Sequence, residues 1–230
     1  MSHAPAIPIL VSFSGGKDAA WTLHRLQQSS HYRPIGLLTT LEDGAQVALH
    51  GLRREVIAAQ ARALGLPLLE APMPDRADNL AYEGAFATAL ELARLRWPGL
   101  AHIAFGDIFL ADIKAYRDQV CGRLGWTAVY PLFGADSRSL ADAMIAAGLK
   151  ARICCIDSER LSADFLARQF NRSLLDQLPP DIDPCGEYGE FHTCVFDGPM
   201  FQHPIAIERG ASSLYRNRFL RADFRLPASD

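Results

Sequence analysis

Along this chain a short aliphatic run, a polar or glycine-rich break, and a longer stretch with apolar residues every three or four positions follow one another repeatedly. Short runs rich in Ile, Val and Leu read as buried strands, and the 3.6-residue period reads as amphipathic helix. Ile7–Phe13 is predicted as the first strand, Asp18–Gln28 as the first helix and Pro34–Leu41 as the second strand. A helix over Leu52–Leu64 follows, with Val56, Ile57, Ala61 and Leu64 on one face and Gly65 placed to stop it. Leu66–Met73 is the third strand, and an alanine-rich helix over Leu80–Arg96 ends before Pro98. His102–Ile108 is the fourth strand, Ala115–Leu124 lies in the next helix, and Thr127–Phe133 is the fifth strand.

Strands alternating with helices in this way imply right-handed crossovers and one parallel sheet covered on both faces. The expected fold class is α/β, a parallel five-stranded Rossmann-like sheet. After Phe133 the rhythm changes to a helix over Ser139–Ala147, a strand over Lys150–Ile156 and a helix over Ala163–Leu175. A loop rich in Pro, Asp and Gly and two strands near the end complete it. The change marks a boundary between residues 1–133 and a smaller C-terminal α+β domain, residues 134–230.

The chain has 230 residues, 49% of them hydrophobic, enough for a packed core. A formal charge of -3 gives no global basic field, so nucleic acid ranks low as a partner. No stretch reaches the roughly 18 consecutive apolar residues of a membrane span, and the N-terminus lacks a signal-peptide pattern, so the cytoplasm is the expected location. The five cysteines are odd in number and form no C-x-x-C pair, which argues against a disulfide scaffold or a structural zinc. Pattern alone does not reveal oligomeric state, and a homodimer stays open.

Chemistry concentrates first in "SFSGGKDAAW", Ser12 to Trp21, where strand gives way to helix through Gly15 and Gly16. Glycines there permit positive φ and close approach, and the helix start offers free N–H groups and the positive end of its dipole to an anion. Ser14 and Lys17 add anion-binding groups, and Asp18 is a carboxylate suited to a water-rich Mg²⁺. A plain tight connection would use the same glycines. The spacing fits neither G-x-x-x-x-G-K-[ST] nor G-x-G-x-x-G.

Ser14-Gly15-Gly16-Lys17-Asp18 resembles the SGGKDS signature of the PP-loop ATP pyrophosphatases, with Ala19 where that family usually has Ser. A second segment, "DPCGEYGEFHTCVFDGPMF" (Asp183 to Phe201), resembles the C-G-E-x-G-E-[FY]-x-T and D-G-P-[LM]-F motifs of the diphthine-ammonia ligase family, a branch of that superfamily. "FGDI" (Phe105–Ile108), Cys121–Gly125 and "YPLF" (Tyr130–Phe133) extend the resemblance over nearly the whole chain. It implies a HUP/PP-loop sheet over residues 1–133, a substrate-binding domain over 134–230, and the cofactors ATP and Mg²⁺. The implied reaction cleaves ATP to AMP and pyrophosphate, activating a carboxylate as an adenylate for amidation by ammonia. The family's acceptor is diphthine on translation elongation factor two. The carboxylate used here, a small molecule or a modified protein side chain, is not named by these residues.

Residue by residue, the nucleotide would be held by Ser12, Ser14, Gly15, Gly16, Lys17 and Asp18, with Asp18 as metal ligand. Leu38, Thr39 and Thr40 would border the adenine, and Gly106 and Asp107 lie at the end of the fourth strand. Lys17, Asp18, Glu187 and Glu190 are the catalytic candidates. His50, Cys185, Gly186, Glu187, Glu190 and His192 are the candidates for the acceptor side. A solvated hairpin would account for the acidic positions, a capping role for Asp107 and His50, and structural packing for Cys185 and His192. Two other classes stay open: a PP-loop tRNA-modifying enzyme, and a module that binds ATP without turnover.

Overall fold

The computed structural model describes residues 5–74 and 78–228. Its first sheet contains β1 (Ile7–Ser12), β2 (Tyr32–Glu42), β3 (Gln46–Val47), β4 (Leu68–Met73), β5 (His102–Ala104) and β6 (Thr127–Val129). The strands β4, β2, β1, β5 and β6 are all parallel in that spatial order, and the two-residue β3 pairs antiparallel with the far end of β2. Helices α1 (Lys17–Gln27), α2 (Arg54–Ala63), α3 (Asn79–Arg96) and α4 (Ala111–Arg123) make the crossovers. This is the expected α/β class and parallel Rossmann-like sheet.

Strand β1 is central, and Ile9, Leu10 and Val11 are fully buried because both faces are covered. Alternation divides them: Ile9 and Val11 face Leu23, Leu26, Val56 and Ile57 of α1 and α2, whereas Leu10 faces Phe86 and Leu90 of α3. Helices α1 to α4 each carry a basic side chain in the last turn, which complements the negative end of the helix dipole. None of the described helices is long and apolar enough to cross a membrane.

Beyond α5 (Ser137–Ala146) a second, smaller sheet is built from β7 (Lys150–Asp157), β8 (Phe191–Asp197), β9 (Glu208–Tyr215) and β10 (Phe219–Arg225). It is antiparallel in the order β8, β7, β10, β9. Ile153, Cys155, Val195 and Phe224 join the core cluster that contains Val11, Leu52 and Ile57, so this sheet packs on the α1 and α2 side of the first.

Four expectations need correction. The fourth strand stops at Ala104 and the fifth at Val129, earlier than predicted. Three strands, not two, follow the acidic loop. The helix expected over Ala163–Leu175 is a 3-10 turn at Ala163–Phe165 and a separate short helix, α6 (Arg172–Leu175). Between them the backbone turns to β7: Ala167 N–H donates to the Ile153 carbonyl, Ile153 N–H to Arg168, and Phe170 N–H to Ala151. Asn171 then caps the new helix at the Leu174 N–H.

Candidate active site

Strands β1 and β5 lie side by side, and the chain leaves β1 toward β2 but reaches β5 from β4. Their carboxyl ends therefore open a crevice at the topological switch point. Into it runs the loop after Ser12. Gly15 has φ +80, and a Cβ there would sit 2.5 Å from Ile57 Cδ1 and 2.8 Å from Leu52 Cδ1, so glycine is the residue that fits. Gly16 is the N-cap of α1 and supplies no side-chain cap, which leaves the first-turn amides of Asp18 and Ala19 without intrahelical acceptors. From β5, Gly106 comes so close that a Cβ would lie 3.0 Å from the carbonyl carbon of Asp18.

These segments enclose a cavity of about 290 Å³ whose lining includes Ser12, Ser14, Asp18 and Ala19 from the end of β1 and the start of α1, and Gly106 and Asp107 from the segment after β5. Leu49 and His50 reach it from the β2–α2 connection, Arg117 from α4, and Gly186, Glu187 and His192 from the second half of the chain. Two motifs separated by some 170 positions thus share one wall.

The cavity has an acidic character with one firm cation. Asp107 is ion-paired with Arg117 at 2.9 Å, and that guanidinium lies 4.5 Å from the centre of the Phe105 ring. Glu187 Oε1 accepts the Ile108 N–H at 2.8 Å and the Phe109 N–H at 3.4 Å. Burial pushes the Glu187 carboxyl up to about 7, against those two N–H bonds and with help from the negative charges of Asp18 and Asp107. Asp18 is also raised, by burial first and by Asp183, against the pull of Lys17. His50 and His192 pack ring on ring at 4.5 Å. Burial, with Lys17 and Arg221 nearby, brings His50 down to about 4 and His192 well below its ordinary value, so both are neutral donors or acceptors near pH 7.

Other expected residues lie behind this wall. The Lys17 ammonium is buried beneath the loop, donating to the Cys185 carbonyl and to Asp18 Oδ2 at 2.9 Å. Glu190 is 1% exposed and accepts the Asp183 N–H at 3.1 Å through Oε1. Cys185 is buried, its Sγ contacting the Ser137 carbonyl at 3.4 Å, and burial pushes its thiol up to about 12, which leaves no thiolate for nucleophilic attack. Leu38 and Thr39 are buried in β2, where Leu38 accepts the Phe13 N–H, and the triplet Leu38–Thr40 does not line the cavity.

Sequence reading missed the groups that hold the loop in place. Gln60 is fully buried and donates from Nε2 to the carbonyls of Gly15 at 3.0 Å and Val195 at 2.6 Å. Val195 N–H bonds Gly15 O at 3.0 Å, and Thr193 Oγ1 accepts the Lys17 N–H at 3.0 Å. A signal existed for Gln60: it falls on the apolar stripe of Val56, Ile57, Ala61 and Leu64, where an amide needs a buried partner. Arg221, which stacks on Tyr215 and donates to the Leu49 carbonyl at 3.0 Å, and Arg53, paired with Asp223 at 2.6 Å, secure the loop bearing His50. Nothing in the local pattern marks either arginine.

The donor set suits Mg²⁺ with bound water. Asp18 Oδ1 is a buried carboxylate oxygen with no partner beside an acidic cavity. Among the described residues no group of three or more His, Cys, Asp or Glu side chains could hold a metal by itself.

Residues 8–128 match the family model described as diphthamide synthase N-terminal domain, and residues 136–220 match diphthamide synthase C-terminal domain. Diphthine-ammonia ligase of Schizosaccharomyces pombe is 27% identical over 218 residues, an alignment covering 86% of this chain and 36% of the relative. The chain therefore spans about a third of the length of the curated relative it matches. With its glycine turn, carboxyl-edge crevice and both family halves in order, the chain belongs to the diphthamide synthase family, within the PP-loop ATP pyrophosphatase superfamily.

Proposed function

We propose that this protein is an ATP-dependent ligase that cleaves ATP to AMP and pyrophosphate, activates a carboxylate as its adenylate, and forms an amide with ammonia. The observation that carries the reading is the juxtaposition in one cavity of an uncapped helix start with Glu187, a carboxyl whose burial moves it to about 7. The first is suited to a polyphosphate, the second to a proton. The relative's printed activity, ligation of ammonia to diphthine, supports the reaction class.

In this reading the polyphosphate tail lies against the first turn of α1. The Asp18 and Ala19 amides and the helix dipole stabilise charge growing on departing pyrophosphate, as the acceptor carboxylate oxygen bonds to the α-phosphorus and the α–β bridging bond breaks. Asp18 Oδ1, joined by water and phosphate oxygens, would hold Mg²⁺, which when bound neutralises part of the polyphosphate charge. Ser12, Ser14, Gly15, Gly16, Gly106 and Asp107 complete the nucleotide side; Leu38, Thr39 and Thr40, within β2 and outside the cavity, are not assigned to it. Arg117, held by Asp107, supplies the fixed positive charge of the wall.

Glu187 takes the proton that ammonium must lose before its nitrogen can attack the acyl carbon and release AMP. Its Oε1 is fixed by the Ile108 and Phe109 amides, so the carboxyl is oriented before substrate arrives. His50 and His192, both neutral, are hydrogen-bonding groups for the acceptor. Glu190 and Cys185 act from behind, shaping the turn that carries Gly186 and Glu187. Residues 1–133 and 134–230 then serve as the nucleotide and acceptor halves of one site.

Incubation with Mg²⁺, ATP, ammonium and candidate carboxylates should yield AMP, pyrophosphate and an amide; ADP as product would overturn the proposed cleavage. Asp18→Asn should lower turnover by about a hundredfold or more. A second reading, nucleotide binding without turnover, draws on Ala19, which lines the cavity at the position where the family signature has a hydroxyl-bearing residue. Tight Mg²⁺-ATP binding with no product from any acceptor would favour it.

A further inference from the structure

Lys17 is the one member of the Ser14–Asp18 signature whose charged group is turned away from the cavity. An ammonium has three protons to donate and a high cost of burial if they are not used. Here Nζ donates to Asp18 Oδ2 at 2.9 Å and to the Cys185 carbonyl, and it lies 5.3 Å from the centre of the Phe191 ring and 5.7 Å from that of Phe170. Both rings are themselves buried, so the ammonium sits in a largely apolar surround. The backbone of the same residue is tied to Thr193 Oγ1. Lys17 is therefore pinned at both ends to the segment that carries Glu187.

Each contact has a consequence in the cavity. Engaging Asp18 through Oδ2 leaves Oδ1 a buried acceptor without a partner, on a side chain that lines the cavity. Holding the Cys185 carbonyl fixes the turn in which Asp183 Oδ2 accepts both the Cys185 N–H at 2.9 Å and the Glu187 N–H at 3.0 Å. One ammonium thus sets the position of two carboxyls contributed by residues far apart in sequence. Resting on the function proposed above, we propose that Lys17 is a positioning residue that orients Asp18 toward Mg²⁺ and holds the Glu187 turn in register with the nucleotide loop, without touching phosphate.

A phosphate ligand and a tether behave differently. Lys17→Met should leave binding of metal-free ATP within about threefold of the parent while losing about tenfold or more of the gain that Mg²⁺ confers. Amide hydrogen exchange at residues 185–187 should quicken about tenfold or more in that variant. Equal loss of ATP affinity with and without Mg²⁺, or unchanged exchange at residues 185–187, would overturn the proposal. Should Lys17→Met fail to fold, the parent protein still decides through the ¹⁵N resonance of its lysine ammonium. A slowly exchanging Nζ signal that persists when Mg²⁺-ATP is added supports the tether, and one that appears or gains coupling to phosphorus only with nucleotide refutes it. If the parent binds no Mg²⁺-ATP, the ligase reading falls, while the ammonium signal and the exchange at residues 185–187 still test the tether.

Discussion

Replacing Glu187 with Gln separates what the carboxyl costs the fold from what it does for the reaction. Burial raises this group from an ordinary 4.5 to about 7, so the folded chain holds a proton that the unfolded chain releases. Between those values the native state binds more protons than the unfolded state, and stability falls as pH rises through that window. A shift of this size corresponds to roughly 3 kcal/mol across the full window, of which about 2 kcal/mol lies between pH 5.5 and 8.5. Solvent in the open cavity screens the charge, so about 1 kcal/mol is the figure to expect in solution. The amide oxygen of Glu187→Gln still accepts the Ile108 N–H, so little else changes. Urea denaturation of parent and variant at both pH values gives the difference directly, with every other titrating group cancelling. The variant should gain on the parent by about 1 kcal/mol on going from pH 5.5 to 8.5, while amide formation is lost and ATP binding is kept. In the parent, the rate should rise as pH increases through about 7, the direction for a base that must be ionised. A stability difference that does not move with pH would refute the buried, protonated carboxyl.

Three further changes test the walls of the site. Gly106→Ala places a methyl group 3.0 to 3.2 Å from the backbone of Asp18 and Ala19, and should weaken Mg²⁺-ATP binding by about tenfold with the fold retained, read by calorimetry and circular dichroism. Gln60→Met removes both donors from the Gly15 and Val195 carbonyls and should cost about 1 to 3 kcal/mol in urea denaturation, toward the lower end because the unpartnered Oε1 leaves as well. Ala19→Ser restores a hydroxyl at the cavity wall and should tighten Mg²⁺-ATP binding by about threefold to tenfold, one hydrogen bond's worth; unchanged affinity would place the phosphates elsewhere.

What was legible in the sequence follows from how local each signal is. The run Ile9–Val11 is buried on both faces and reads as a strand in isolation, and Gly15, Gly16 and Asp18 announce a helix start, which opens on the crevice. Periodicity failed where distant backbone set the conformation. Ala163–Leu175 has apolar residues at helical spacing, yet three hydrogen bonds to β7 draw residues 167–170 into an extended path, with Ala167 at φ 65. The two-residue β3 exists because the far end of β2 has a free edge there, and it leaves no pattern of its own.

The same distinction explains the site. The candidate residues come from two motifs, and the structure brings several of them to one cavity, but their division into front and back is not legible in either motif. Lys17 and Asp18 are neighbours in one signature; at the start of α1 the helical turn sends one into the core and the other to the cavity. Which goes where depends on β8, since Thr193 and Val195 anchor the loop and the Cys185 carbonyl provides the buried acceptor. The loop's Gly15 carbonyl accepts from Val195 of β8 and from Gln60 of α2, and its Lys17 amide donates to Thr193 of β8. The two sheets are consequently linked directly through this loop. Glu187 thus shares the cavity with a loop whose backbone is anchored by β8, so a change at Thr193 or Val195 should be felt on both walls.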